Sequence, residues 1–294
     1  MKWLSRIGIA LVAMAAAGSA GAADLAVRPA PAPYKAPPPV VVAAYSWSGF
    51  YVGVNAGGAW GKFDPITTTV FSPIGYFEDT GVPAVNAVGV QTINPSAFTG
   101  GVQAGFNWQA GSFVGGVEVD FNSFRLSGSA TGTGVYPCCA PAGFTVTSAV
   151  STDWLFTARG RLGFAANNWL FYVTGGLAVT NLKGDFSFTD NCGDVAICNG
   201  PGGPNAAEAA SLSKTKLGYA VGGGVEAGLW SNWSLKAEYL YVRFSSESVA
   251  GLITTPALVF FSNNNPFTHT IDLRAHIARL GLNYRFGGPV VASY

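Results

Sequence analysis

Ile277-Ala278-Arg279-Leu280-Gly281-Leu282-Asn283-Tyr284-Arg285-Phe286 is the stretch that decides the fold. Leu280, Leu282, Tyr284 and Phe286 fall on one face of an extended chain, and Arg279, Gly281, Asn283 and Arg285 on the other. That is the two-residue period of a β-strand. A half-buried strand of a soluble protein shows the same alternation. Here the apolar face closes on two aromatics, and strands of the same kind recur upstream. The combination points to a transmembrane barrel with lipid outside, a polar lumen and aromatic girdles at the interfaces.

Composition agrees. Only 11% of the 294 residues are charged, 39 are glycine and 13% are aromatic, whereas an ordinary soluble domain is about 25% charged. Beyond the leader no apolar run approaches the roughly 18 residues of a membrane helix. Residues 1–22 read as a signal peptide. Lys2 and Arg6 form its basic start, Ile7 to Ala17 its apolar core, and Ala20-Gly21-Ala22 a small-residue cleavage site. Removing Lys2 and Arg6 from the 16 basic residues leaves 14 against 15 acidic ones. A near-neutral chain without a basic tract gives no reason to expect nucleic acid as a partner. Residues 23–45 carry six prolines between Pro29 and Pro39, the composition of an extended periplasmic arm.

Seven further strands precede the last. They are expected at Gly49 to Trp60, Phe98 to Gln109, Phe113 to Leu126, Thr152 to Phe164, Trp169 to Asn181, Lys216 to Trp230 and Trp233 to Phe244, with the closing strand at Thr270 to Phe286. Short turns at 110–112, 166–168 and 231–232 alternate with long loops at 61–95, 127–148, 183–213 and 248–269. Eight staves is an even number, as bacterial single-chain barrels require. Closure is compulsory, because an open edge in lipid would leave backbone groups unpaired. The expected fold is therefore all-β: an eight-stranded antiparallel transmembrane barrel over 46–286, with short periplasmic turns, four long extracellular loops and a short extension at 287–294. A secreted soluble barrel or sandwich is the alternative, and its charge-poor faces would lack a dry home.

Several segments together resemble a known family. They are Trp47-Ser48-Gly49-Phe50-Tyr51-Val52-Gly53-Val54-Asn55-Ala56-Gly57, Gly218-Tyr219-Ala220-Val221-Gly222-Gly223-Gly224-Val225-Glu226, Leu235-Lys236-Ala237-Glu238-Tyr239-Leu240-Tyr241 and the terminal Leu-Gly-Leu-Asn-Tyr-Arg-Phe. The chain resembles the alphaproteobacterial outer-membrane immunogenic proteins, small porin-family barrels related to the transmembrane domain of outer membrane protein A. The resemblance implies an abundant surface antigen of the Gram-negative outer membrane, with no catalytic residues and no cofactor. It also implies an ending at or near a terminal aromatic, and because the alternation stops at Phe286 while the chain continues to Tyr294, Phe286 is expected to be the terminal assembly signal read by the barrel assembly machinery.

By alternation Glu118, Asp120, Arg159, Arg161, Glu226, Lys236, Glu238, Arg279 and Arg285 project inward. A lumen of eight strands is just wide enough for side chains to fill, so these charges are expected to pair in a hydrogen-bonded network. They would either plug the barrel or line a narrow pore. Inward glycines such as Gly53, Gly57, Gly105, Gly222 and Gly224 leave some space for water. The four cysteines lie in presumed outer loops on an oxidising route. Cys192 and Cys198 could close a small ring, while Cys138 and Cys139 are adjacent and could pair with each other or across loops. His269 and His276, with Ser245, Ser246 and Glu247, are what a rim hydrolase would use, but no motif supports it. A structural and antigenic role is expected, with a low-conductance channel or a loop-borne adhesin as alternatives. The partners expected are outer-membrane lipid and lipopolysaccharide, the assembly machinery, and peptidoglycan or another envelope protein for the arm. The leader predicts a mature N-terminus at Ala23, and N-terminal sequencing of protein extracted from outer membranes should begin Ala-Asp-Leu.

Overall fold

A computed structural model describes residues 45–195, 205–230, 232–254 and 265–287. The leader, most of the arm, Cys198 and residues 288–294 lie outside the described residues. In chain order the elements are β1 (Gly49–Phe63), β2 (Ile66–Thr69), α1 (Gly81–Val88), β3 (Ser96–Ala110), β4 (Phe113–Phe124), β5 (Ser127–Val135) and β6 (Gly143–Ser151). There follow β7 (Trp154–Ala166), β8 (Trp169–Asp190), β9 (Ala207–Gly228), β10 (Trp233–Phe244), β11 (Glu247–Leu252), β12 (Pro266–Ile271) and β13 (Leu273–Phe286).

Eight of these strands form the barrel, in the order β8-β7-β4-β3-β1-β13-β10-β9, and antiparallel pairing of β8 with β9 closes the ring. The deciding stretch lies between β1 and β10, with Leu282 opposite Val54 on one side and Leu235 on the other. Every barrel strand alternates as its sequence requires, with apolar residues exposed on the outside and buried ones turned inward. On β1 the outward row runs from Phe50 to Trp60. Ten residues at a strand's rise and a barrel's usual tilt span about 25 Å, the height of the apolar band in outer-membrane barrels. The periplasmic turns are tight. Gly111 and Asn167 both sit at positive φ, which glycine adopts freely and asparagine tolerates better than most residues.

The four long loops are more ordered than composition suggests. The expected 127–148 loop is the hairpin of β5 and β6, which pairs onto the upper half of β8. Within 183–213, β8 runs on to Asp190 and β9 begins at Ala207. β2, β12 and β11 form a separate three-stranded sheet, with α1 in the first loop. Together these elements build an extracellular turret. Its strands escape an apolar-alternation reading because their exposed rows are serine, threonine and glycine, as in Ser127-Gly128-Ser129-Ala130-Thr131-Gly132-Thr133.

The inside differs from a uniformly polar lumen. On β10 the inward residues change from Ser234, Lys236 and Glu238 near the periplasm to Leu240, Val242 and Phe244 near the outside, and all six are buried. On β13, Asn283 and Arg279 give way to Ile277, Ala275 and Leu273. The external half of the barrel therefore holds an apolar core that includes Phe63, Phe124, Leu155, Leu240 and Phe244. Val119 and Leu280 face out near the middle of the band. Val119→Arg should destabilise folding into bilayers by roughly 2 to 4 kcal/mol, with Val119→Leu near neutral. Denaturant titration in vesicles reads both, and equal stability of the two variants would refute the outward assignment.

Candidate functional site

The lumen is built in storeys. At the periplasmic mouth, Tyr45 and Trp47 turn inward beneath the strands, and Trp47 packs with Val114, Ala165, Leu170 and Tyr172. The Trp47 amide donates to Gln109 Oε1 at 2.8 Å, which fixes this entry segment to the end of β3.

Above it lies the ionic storey. Arg159 on β7 donates from Nη2 to Glu118 Oε1 at 2.7 Å and to Asp120 Oδ2 at 2.9 Å, and from Nη1 to Glu238 Oε1 at 3.2 Å. Arg279 on β13 reaches Glu238 Oε2 through Nε at 2.8 Å and Asp120 Oδ1 through Nη1 at 3.1 Å. Lys236 Nζ lies 2.8 and 2.9 Å from the two oxygens of Glu118. Arg161 donates to Glu226 at 2.8 Å and to the Tyr51 hydroxyl at 2.9 Å, its guanidinium lying 4.2 Å from the Tyr172 ring centroid. Tyr51 in turn donates to Glu118, and Tyr172 to Glu238. Ser234 and Asn283 complete the shell of Glu226. Four cations thus meet four carboxylates, and all eight are almost fully buried. The storey is neutral, as removal from water demands of buried charge.

Eight of the nine expected lumen residues come together in this way. The ninth, Arg285, does not. It points inward at the periplasmic end, where its guanidinium lies 4.7 Å from the ring centroid of Tyr45, and its Nε and Nη1 have no hydrogen-bond partner. Alternation placed it on the correct face, but the four-to-four charge balance closes without it. The space left by inward glycines is also taken. Tyr51 stands over Gly105 and Tyr172 over Gly224, so that a Cβ on either glycine would lie within 2.6 Å of the tyrosine hydroxyl oxygen. Asn283, bonded to both Gln103 and Glu226, is likewise an integral part of the packing.

The outermost storey is the turret core, where Phe77, Tyr136, Phe144, Phe188 and Phe267 pack together. Asp190 pins it. Its carboxylate accepts hydrogen bonds from the Tyr76 and Tyr136 hydroxyls at 2.8 and 2.9 Å and from the Ala206 amide at 2.6 Å. Burial pushes the Asp190 carboxyl above its usual range, while these donors pull it back in part. Cys138 and Cys139 are bonded to each other, one of the two pairings open to that loop. Cys192 is disulfide-bonded too, and its expected partner Cys198 lies outside the described residues.

The residues of the rim-hydrolase reading are not brought together as a triad. His269 is buried between Thr67, 2.9 Å from Nδ1, and Glu208, 3.2 Å from Nε2, and it stacks on Phe186. His276 lies on the outer surface against Tyr239 and Tyr241. Ser245 donates to the Leu217 carbonyl, and Glu247 pairs with Lys214 and Lys216.

Losing one member of the ionic storey leaves its buried charges unbalanced: without Lys236, Glu118 keeps Arg159 and Tyr51, but three cations face four carboxylates. Lys236→Met should lower stability by about 3–5 kcal/mol, because Glu118 remains charged and buried. Adding Glu118→Gln should recover part of that loss, a coupling that a double-mutant cycle in vesicles would measure.

Comparison with known proteins shows the family. The family described as "Outer membrane protein beta-barrel domain" matches residues 9–286. The 31 kDa outer-membrane immunogenic protein of Brucella melitensis is 33% identical over 280 residues, covering 95% of this chain and 98% of the relative. The 22 kDa outer membrane protein of Rhizobium leguminosarum is 32% identical over 150 residues, covering 51% of this chain and 54% of the relative. Among solved structures, Neisserial surface protein A aligns over 81% of this chain and 98% of its own, with 15% identity and a TM-score of 0.34. The Escherichia coli outer membrane protease OmpT aligns over 81% and 97%, with 9% identity and a TM-score of 0.39. With a family match across nearly the whole length and a full-length relative at this identity, the chain belongs to the outer membrane protein β-barrel family and is an integral outer-membrane barrel of the immunogenic-protein kind.

Proposed function

We propose that this barrel is a sealed, non-conducting and non-catalytic anchor that holds a folded turret at the cell surface. The observation that carries the reading is the change of inward residues along one strand, from Lys236 and Glu238 to Leu240, Val242 and Phe244. A narrow polar lumen could pass ions slowly, but the apolar storey above it offers neither water nor ligands to a permeating ion, and such constrictions close pores by dewetting. The low-conductance channel therefore has less support than the structural role. A non-catalytic role accords with the buried seat of His269, which has no open face for a substrate, and with relatives named as outer-membrane and immunogenic proteins. The partners proposed are membrane lipid along the apolar band, the barrel assembly machinery acting on the strand that ends at Phe286, and peptidoglycan or another envelope component for the arm. Nucleic acid is not among them.

Planar-bilayer recording of purified protein tests the seal. Conductance should be far below that of a porin of about 16 strands. Shortening Arg159 to alanine should not by itself open a path, because Phe63, Phe124 and Leu240 remain above it. Large, stable openings in the unmodified protein would overturn the sealed reading and restore the channel.

A further inference from the structure

Three basic residues stand side by side on the outward face of adjacent strands: Lys62 on β1, Arg274 on β13 and Arg243 on β10. Arg274 is directly opposite each of the other two in the strand register. Like charges directly opposite across strands repel, and here they form a row of three. Two carboxylates lie among them. Asp64 is shared, 2.9 Å from Arg274 Nη2 and 3.6 Å from Lys62, while Asp272 is 3.6 Å from Arg243. The cluster keeps one positive charge in excess, and its three cationic side chains remain 38–47% exposed.

Its height on the barrel shows what the row faces. One outward position closer to the membrane, Trp60, His276 and Tyr241 form a second row in the same register, the place of the external aromatic girdle. The cations therefore sit at the headgroup level of the outer leaflet. Deeper on the same strands the outward surface falls into a groove of about 570 Å³, floored by Ala56, Ala237 and Ala278 and flanked by Tyr239 and Leu280. Phosphate suits the upper part, because arginine pairs bidentately with its oxygens in charge-assisted hydrogen bonds. An acyl chain suits the lower part, where three methyl groups line the floor in place of bulky side chains.

We infer that Lys62, Arg243 and Arg274, with the alanine-floored groove beneath them, form a binding site for a phosphate-bearing lipid of the outer leaflet. The site rests on the outer-membrane placement but not on a closed lumen, so conductance and lipid retention can fail independently. Both parts of the ligand are needed: the phosphate to offset the excess positive charge, and the chain to occupy the groove.

Native mass spectrometry of detergent-released protein tests this, with bisphosphorylated lipid A, dephosphorylated lipid A and inorganic phosphate as probes. The bisphosphorylated lipid should be retained about tenfold better than the dephosphorylated one, and replacing all three cations by glutamine should remove that difference. Ala278→Trp keeps every charge while filling the groove, and it should weaken lipid retention to a similar degree. It serves as the decisive variant if the triple replacement fails to show the heat-modifiable migration of a folded barrel. Equal retention of both lipids would overturn the proposal, as would displacement of the lipid by millimolar inorganic phosphate. So would an equal loss from Arg125→Gln with Lys183→Gln on the other side of the barrel, which would reveal a diffuse basic belt.

Discussion

Pairing of the backbone across the β8–β9 seam is the constraint on which everything else depends. Inside lipid no water can satisfy a strand's amides and carbonyls, so the sheet must close on itself. The two strands that close it are the longest in the protein, 22 residues each, and they stay in register from Trp169 opposite Ala227 to Thr189 opposite Ala207. The seam thus extends well above the apolar band and becomes the frame of the turret, with β6 pairing on to the same stretch of β8. Membrane closure and loop order are consequences of one hairpin.

Closing at eight strands fixes the second problem, which is the interior. A ring of this size encloses a column that side chains must fill, and the protein fills it in two chemistries. In the lower storey, paired charges occupy the space and, through their bonds, tie β4, β7, β9, β10 and β13 to one another across the lumen. Such pairs add little net stability over an apolar packing of equal volume, but they do penalise misregister. A slip of one residue would turn Arg159 or Glu238 into hydrocarbon. In the upper storey ordinary apolar packing suffices, because the register has already been set below.

The barrel was legible because alternation is a local property. Each strand carries its own inside and outside, and the eight inward charges could be named one at a time. Their partners were not legible, since the bond between Lys236 and Glu118 spans 118 residues and nothing in either segment announces the other. The apolar storey did leave a signal. Tyr239-Leu240-Tyr241-Val242 and Ile277-Ala278 are stretches where alternation lapses because both faces are apolar, and a reading centred on charges passes over them. Arg285 marks the opposite limit. Its face was readable, but its distance from the network is set by strand stagger, which no single strand records. The turret hairpins are not legible, because their serine, threonine and glycine rows match the composition of irregular loops.

The turret is the part that a surface antigen of this kind presents. Its parts come from all four loops, and buried polar groups hold them together. Tyr76 of the first loop and Tyr136 of the second both donate to Asp190 of the third. His269 of the fourth bridges Thr67 of the first and Glu208 at the outer end of β9. Each such group is satisfied only while its partners are in place, and leaving one unpaired costs about 1–3 kcal/mol. A change buried in one loop is therefore felt in the others, whereas exposed positions such as those along β5 can vary without disturbing the frame. The surface this barrel shows is a composite of distant segments. Antibodies raised against isolated loop peptides would meet only one of the segments that build it.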